Sequence, residues 1–475
     1  MTSIIKWEGK ILFFQKCTLA IAMGLLILGC KATPEKEIQP NIVFILVDDL
    51  GYYDVGYMNN KPGISTPNID ELAKSGIIFT QAYAAAPVCS PTRASILTGK
   101  SPATLKTTCH IPGLEMEKYL LRQNKGKKLK EAFFRNHLPL AEVTIAEVFK
   151  TNGYATGFLG KWHLAGDGSA FSEDGVIDAQ FHPEFQGFDL NIGGCAYGQP
   201  ASWFEPYKNA TILERTKGEY LTDRLGDEAV NFIRENEHNP FFLYLSTYTV
   251  HTPLMAPQET IAKYNGNTYF AMIEKLDQNV GKVMDQLKQS NLLENTIVIF
   301  YSDNGGLFDN SPLKDTKGSL HEGGIRVPLV VSYPAKIEGG QTNSSPVTSV
   351  DLFPTLIDLA AVSADHIGKL EGMSLLPLLL EHKNLPERAL YWHFPHHRKD
   401  GLTMAAAIRE GDWKLIWEFE SDNTYLYNLK DDLGELHNLS LNYPERRSKM
   451  LINLKNWQKR TAAEMPSKNV GLKEL

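Results

Sequence analysis

A chain of 475 residues, 43% hydrophobic and 22% charged, has the composition of an ordinary globular protein, long enough for one large α/β domain and a smaller one. Its formal net charge of −7 offers no basic surface of the kind nucleic-acid binding requires. No internal repeat or low-complexity segment interrupts it.

The first residues do not belong to the fold. Lys6, Lys10 and Lys16 precede an apolar run from Leu19 to Leu28, too short for a comfortable membrane span and typical of an export signal. Ile27-Leu28-Gly29-Cys30 resembles a bacterial lipobox, which implies removal of residues 1–29 and a lipid on Cys30 that holds the protein at a membrane. Leu28 is not the commonest residue at its place, so plain secretion is the alternative. Residues 30–40 read as a tether. Losing three lysines and one glutamate with the signal takes the net charge from −7 to −9. An anionic substrate would then need a local positive field at its site. The expected location is the periplasm or the outer surface.

Continuous apolar runs at residues 42–47, 155–159, 241–245, 297–301 and 329–331 predict buried parallel strands. Helical periodicity fills the gaps over 141–152, 220–236 and 269–289. The alternation predicts a doubly wound, mostly parallel sheet covering residues 41–370. Beyond about residue 370, Trp413–Trp417 and Thr424–Leu429 look like antiparallel strands and residues 445–463 like a final helix, so 371–475 reads as a smaller α+β subdomain.

In an open parallel sheet, ligands bind beyond the carboxyl ends of the strands. Four candidate strands run into polar residues there: Asp48-Asp49, Gly160-Lys161-Trp162-His163, His251-Thr252-Pro253 and Ser302-Asp303-Asn304-Gly305-Gly306. Each alone has a dull explanation as a turn, a cap or a structural histidine. Four at one edge do not. Asp48, Asp49, Asp303 and Asn304 offer only oxygen, which suits Ca²⁺ or Mg²⁺ rather than zinc. Arg93, Lys161, His163, His251 and Lys317 supply the opposite charge, a set able to clamp a tetrahedral oxyanion against a metal.

Cys89-Ser90-Pro91-Thr92-Arg93 adds a nucleophile. Pro91 fits a first helical turn and Ser90 a cap, which places Cys89 at a helix N-terminus with Arg93 one turn on. Such a cysteine is a low-pKa thiol or the precursor of something stronger, unless it is simply a buried thiol. Of the remaining cysteines, Cys17 leaves with the signal, and Cys109 and Cys195 could form one disulfide or stay as buried thiols. Two further groups are weaker: the basic insert Lys118, Arg122, Lys125, Lys127, Lys128 and Lys130, read as a solvated face or a polyanion contact, and His393, His396, His397 and Arg398 near the end.

From Asn41 to about Leu439 the chain resembles a type I sulfatase of the alkaline-phosphatase superfamily. The likeness rests on Val47-Asp48-Asp49-Leu50-Gly51, Pro87 to Gly99, Gly160 to His163, His251 to Pro253, Ser302 to Gly305, and Lys317-Gly318 leading to Glu322-Gly323-Gly324-Ile325-Arg326-Val327-Pro328. Leu433 stands where that family usually has proline. The resemblance implies that a maturation enzyme oxidises Cys89 to formylglycine. One Ca²⁺ would be held by Asp48, Asp49, Asp303 and Asn304 with residue 89. It implies roles for Arg93 and Lys161 on the formylglycine hydrate, Lys317 on sulfate, His163 as base, and His251 with Lys317 as acid. The expected substrate is a sulfated carbohydrate.

The same motif also fits a phosphonate monoester or phosphodiester hydrolase, and an inert glycan-binding lipoprotein would be a rival of another class. Two-zinc phosphatases fit poorly because Asn304 stands where a histidine is common. Thiol phosphatases fit poorly because their Cys-to-Arg spacing is longer.

Overall fold

The computed structural model describes residues 39–58, 61–112, 115–166, 179–365, 367–398 and 403–470. The expected signal, Cys30 and nearly all of the tether lie outside them. No helix among the described residues is long and apolar enough to cross a membrane.

The strand β1 (Asn41–Val47) is buried along its whole length. Its alternate residues feed two cores: Ile42, Phe44 and Leu46 on one face, Val43, Ile45 and Val47 on the other. A strand covered on both faces has no polar side to show, which is why it reads as an unbroken apolar run. Seven more strands complete its sheet: β2 (Ile77–Phe79), β3 (Ala155–Gly160), β4 (Leu190–Ile192), β5 (Phe241–Ser246), β6 (Thr296–Ser302), β7 (Leu329–Ser332) and β8 (Gln341–Asn343), in the order β8-β2-β7-β6-β1-β5-β3-β4. Helices α2 (Cys89–Thr98), α3 (Ile145–Thr151) and α6 (Leu352–Ala360) cover one face, and α1 (Pro67–Lys74), α4 (Leu221–Glu235) and α5 (Thr268–Gln289) the other. This is the doubly wound, mostly parallel sheet that the sequence predicts.

Two details differ from expectation. The strand β7 runs antiparallel to both β6 and β2. The chain leaves β6 at its carboxyl end and re-enters β7 at the same edge, which needs no crossover helix. An apolar run buried on both faces looks the same in either direction. Helix α3 begins at Ile145 rather than 141, because Thr144 and Glu147 form a reciprocal capping box that fixes its start.

Beyond the sheet, β9 (Ala389–Phe394), β10 (Ala405–Glu410), β11 (Trp413–Glu418) and β12 (Thr424–Asn428) form an antiparallel meander. Helix α7 (Pro444–Arg460) closes one face through Met450, Leu454 and Trp457. The other face, with Trp392, Phe394 and Ala407, packs on Tyr83, Val88, Leu320 and Ile325, the segments that flank Cys89 and Lys317. A buried ionic network joins these layers. Lys414 Nζ pairs with Glu322 Oε1 at 2.9 Å and Glu435 Oε1 at 3.0 Å, all three side chains being fully buried. Burial opposes ionisation of Glu322, but Lys414 and Arg326 outweigh it and bring its pKa down to about 2. Removing one member of such a network strands buried charge. Lys414→Ala is therefore expected to cost about 3–5 kcal/mol. Denaturant unfolding checks this, and an unmoved midpoint would contradict the network's role.

Candidate functional site

Strand register builds the site. In the order β6-β1-β5-β3, Val47 pairs with Ser302, Leu46 with Ser246, and Ser246 with Gly160. Asp48, Asp303 and Lys161 are the next residues along their strands, so they emerge together at the carboxyl edge. Backbone bonds continue past the strands: Asp303 N donates to Val47 O at 3.0 Å, Asp48 N to Thr249 O at 3.0 Å, and Lys161 N to Ser246 O at 2.7 Å. Gly160, at φ 102, allows this last approach, since a Cβ there would collide with Ser246 O. Asp49 and His163 both adopt left-handed backbone, φ 62 and 55, at a cost of roughly 1–3 kcal/mol each. The surrounding bonds hold them there.

Three carboxylates and three cations interleave at this edge. Lys161 Nζ donates to Asp48 Oδ2 at 2.7 Å, and Lys317 Nζ to Asp49 Oδ1 at 2.5 Å. Arg93 Nε donates to Asp303 Oδ2 at 2.8 Å, while its Nη1 reaches Lys161 O at 2.7 Å and Ser246 Oγ at 2.6 Å. Asn304 Nδ2 donates to Asp49 Oδ1 at 2.8 Å. Burial raises the pKa of both Asp48 and Asp303 to about 6 against the pull of Lys161 and Arg93. Asp49 is also penalised by burial, yet Lys317 and His251 outweigh that and hold it below the usual carboxylate range.

Asp48 Oδ1, Asp49 Oδ2 and Asn304 Oδ1 are buried without a hydrogen-bond partner, and carboxylate oxygens of Asp48, Asp49 and Asp303 lie within 4.8 Å of one another. Unsatisfied buried oxygens are costly. Oxygen-only donors at this spacing fit a hard divalent cation.

Cys89 is the first residue of α2, and its sulfur lies 3.2 Å from His163 Nδ1. Val88, not Ser90, occupies the N-cap position. The Ser90 hydroxyl instead accepts from Ile111 N at 3.0 Å, because the helix starts two residues earlier than the proline suggests. His163 Nε2 sits 2.8 Å from Ile111 O. A carbonyl only accepts, so Nε2 carries the proton and the Nδ1 lone pair faces residue 89. Burial, reinforced by Lys161, lowers the His163 pKa well below its ordinary value and keeps the ring neutral. His251 is likewise lowered by burial, to about 4, with its Nδ1 at 2.6 Å from Thr252 O. Lys317 keeps its charge, because Asp49 more than offsets burial.

A cleft of about 360 Å³ opens over Cys89, His163, His251 and Lys317. All ten residues singled out from sequence thus gather at one edge of one sheet. Sequence reasoning missed Ser246, which braces Arg93, and His110, Tyr197 and Gln199, which line the cleft. The glycine-rich stretch from Gly193 to Gly198 was the available signal, since any Cβ at Gly198 would strike the His163 ring.

Other expectations resolve plainly. Cys109 and Cys195 are free and buried, so no disulfide joins them. The basic insert is solvent-exposed at Lys118, Arg122, Lys125, Lys127, Lys128 and Lys130, and none of these lines the cleft. His393, His396 and His397 are buried against Glu464, Glu131 and the Leu129 carbonyl, and only Arg398 of that group reaches the cleft.

The three described thiols differ in chemistry. Burial opposes ionisation of Cys89, but Lys161, Lys317 and Arg93 outweigh it and lower its pKa, whereas burial raises those of Cys109 and Cys195. In protein that retains the thiol, Cys89 is expected to be alkylated first near neutral pH. Peptide mass mapping checks this, and earlier labelling of Cys109 or Cys195 would contradict the electrostatics.

Known proteins resemble this chain along most of its length. Residues 40–362 match the sulfatase family model, and residues 314–460 match the model described as N-sulphoglucosamine sulphohydrolase, C-terminal. A sulfatase of Formosa agariphila is 31% identical, the match covering 96% of this chain and 94% of the relative. Human N-acetylgalactosamine-6-sulfatase is 29% identical over 82% of this chain and 74% of its own. The solved structure of Ps i-CgsB in complex with k-i-k-neocarrahexaose superposes with a TM-score of 0.74 at 32% identity, covering 88% of this chain and 93% of that one. Six ordered motifs meeting at one sheet edge, and agreement along nearly the whole chain, have one reading: the protein belongs to the type I sulfatases, hydrolases of sulfuric esters.

Proposed function

We propose that this sulfatase removes sulfate from carbohydrates, using a formylglycine made from Cys89 by a maturation enzyme and one Ca²⁺ held by Asp48, Asp49, Asp303 and Asn304. The observation that carries this reading is the set of three buried oxygens with no hydrogen-bond partner, beside a cysteine whose sulfur faces a neutral histidine nitrogen at 3.2 Å. The carbohydrate in the Ps i-CgsB complex, and the amino sugar in the name of the human relative, support the substrate class. The signal-like run and Cys30 support export and a lipid anchor.

The chemistry divides among the residues present. A formylglycine at residue 89 would, as its hydrate, supply two hydroxyls on one carbon, one as nucleophile and one whose proton must be removed to release sulfate. Ca²⁺ supplies Lewis-acid polarisation of the ester. Asp303, 3.2 Å from Asp49 N through Oδ1, accepts the proton of the attacking hydroxyl. His163 Nδ1 takes the proton of the second hydroxyl. Arg93 and Lys161 would hold the residue-89 hydroxyls, and Lys317 answers the charge of the sulfate oxygens. Lys317 donates to the departing alcohol oxygen in the free-enzyme charge state. His251, neutral in the open cleft, does so once protonated.

Matured protein is expected to release sulfate from aryl sulfates and defined sulfated saccharides, with Cys89→Ala lowering kcat by about 10³-fold or more. A clear preference for aryl phosphonate or phosphodiester substrates would overturn the reading. The metal carries a pH signature. The folded pKa values of Asp48 and Asp303, about 6, exceed the ordinary 3.8, so without cation the folded chain binds extra protons between those values. These two groups therefore lose stability for the fold as pH rises through that window. Ca²⁺ binds their ionised forms and reverses the loss. Added Ca²⁺ is expected to raise the melting temperature of chelator-treated protein at pH 7, and progressively less below pH 6. An equal rise at pH 5 would contradict these ligands.

A further inference from the structure

The cleft holds a cation and a histidine that the steps above do not use. Arg398 and His110 both line it beside Lys317. They arrive on two separate segments tied to one buried cluster. Thr108 Oγ1 and His396 Nε2 are 2.8 Å apart, and His396 Nδ1 lies 3.2 Å from Glu131 Oε2. His397 N donates to Glu131 Oε1 at 2.9 Å, and His397 Nε2 sits 2.9 Å from Leu129 O. Each segment is therefore fixed within two residues of the side chain it presents. The Lys317-Gly318 backbone makes room for the result: at Gly318, φ 92, a Cβ would run into the Arg398 guanidinium. The guanidinium thus lies against Gly318, the residue next to Lys317, in the wall of the same cleft.

Resting on the sulfatase reading of this cleft, we propose that Arg398 and His110 form a second anion subsite, so that the preferred carbohydrate carries a further anionic group close to the ester that is cleaved. Lys317 pairs with Asp49 and faces the reacting sulfate, and Arg398 brings to the same wall a guanidinium whose planar fork suits sulfate or carboxylate oxygens. Burial keeps the His110 ring neutral, so it contributes a hydrogen bond and not a second charge. The further group is a second sulfate or a uronate carboxylate, and both present the oxygens this pair would bind.

The test uses matured full-length protein and three saccharides of one backbone: singly sulfated, doubly sulfated, and singly sulfated with an adjacent uronate. Sulfate release gives kcat/KM for wild type, Arg398→Gln and Arg398→Lys, with melting temperatures recorded alongside. Arg398→Gln is expected to lose roughly ten- to hundredfold more on a doubly charged substrate than on the singly sulfated one, the size of one lost charged hydrogen bond. Arg398→Lys should recover part of that difference. Which doubly charged saccharide shows the larger difference identifies the group. Equal losses on all three in a variant that melts like wild type would overturn the subsite while leaving the sulfatase reading intact. If wild type releases no sulfate from any of them while cleaving a phosphorus ester, the reading of the cleft fails and the subsite with it.

Discussion

Everything at the reactive edge depends on keeping opposite charges interleaved where water is excluded. An isolated buried ion costs several kcal/mol, and removing one partner of a pair leaves that cost uncompensated. Here Arg93 joins Asp303 to the Lys161 carbonyl and Ser246, Lys161 answers Asp48, and Lys317 answers Asp49. The pairing is incomplete: burial leaves Asp48 and Asp303 with raised pKa values of about 6, and three oxygens accept no hydrogen bond. A fully satisfied network would be inert scaffolding. One with unmet oxygens and one firmly ionised carboxylate is prepared for a further positive charge.

The scaffold holds that arrangement by register. Hydrogen-bonded neighbours β6, β1, β5 and β3 cannot slide by one residue without moving each side chain out of the core it packs in and into the one on the opposite face. The carboxylates are thus as fixed as the core. Cys89 is fixed differently, by a helix whose start is pressed under the antiparallel sheet through Val88. That sheet is itself locked by the buried Lys414, Glu322 and Glu435. The C-terminal part is accordingly more than an appendage, because it braces the segment that leads into Cys89 and contributes Arg398 to the cleft wall.

Much of this was legible in the sequence, for a physical reason. Parallel strands buried on both faces are unbroken apolar runs, and a ligand site in such a sheet lies where those runs end, so Asp48, Lys161, His251 and Asp303 announced themselves. Direction was not legible: Leu329–Ser332 is as apolar as its parallel neighbours yet runs the other way. Helix starts were less legible: the Thr144–Glu147 capping box begins α3 at Ile145 where periodicity alone suggested 141, and Ser90, expected as a cap, holds Ile111 instead. The cleft wall was least legible. His110, Gln199 and Arg398 come from irregular segments with no periodicity, and only glycines such as Gly198 and Gly318 marked where backbone had to yield space.

The central claim is that Asp48, Asp49, Asp303 and Asn304 form one cation site beside residue 89. Its most direct test is diffraction from crystals of the matured protein grown with calcium, read from the anomalous signal. The account predicts a single peak about 2.3–2.6 Å from Asp48 Oδ1, Asp49 Oδ2 and Asn304 Oδ1, the three oxygens without a partner. No peak there, with those oxygens turned onto protein donors, would contradict it.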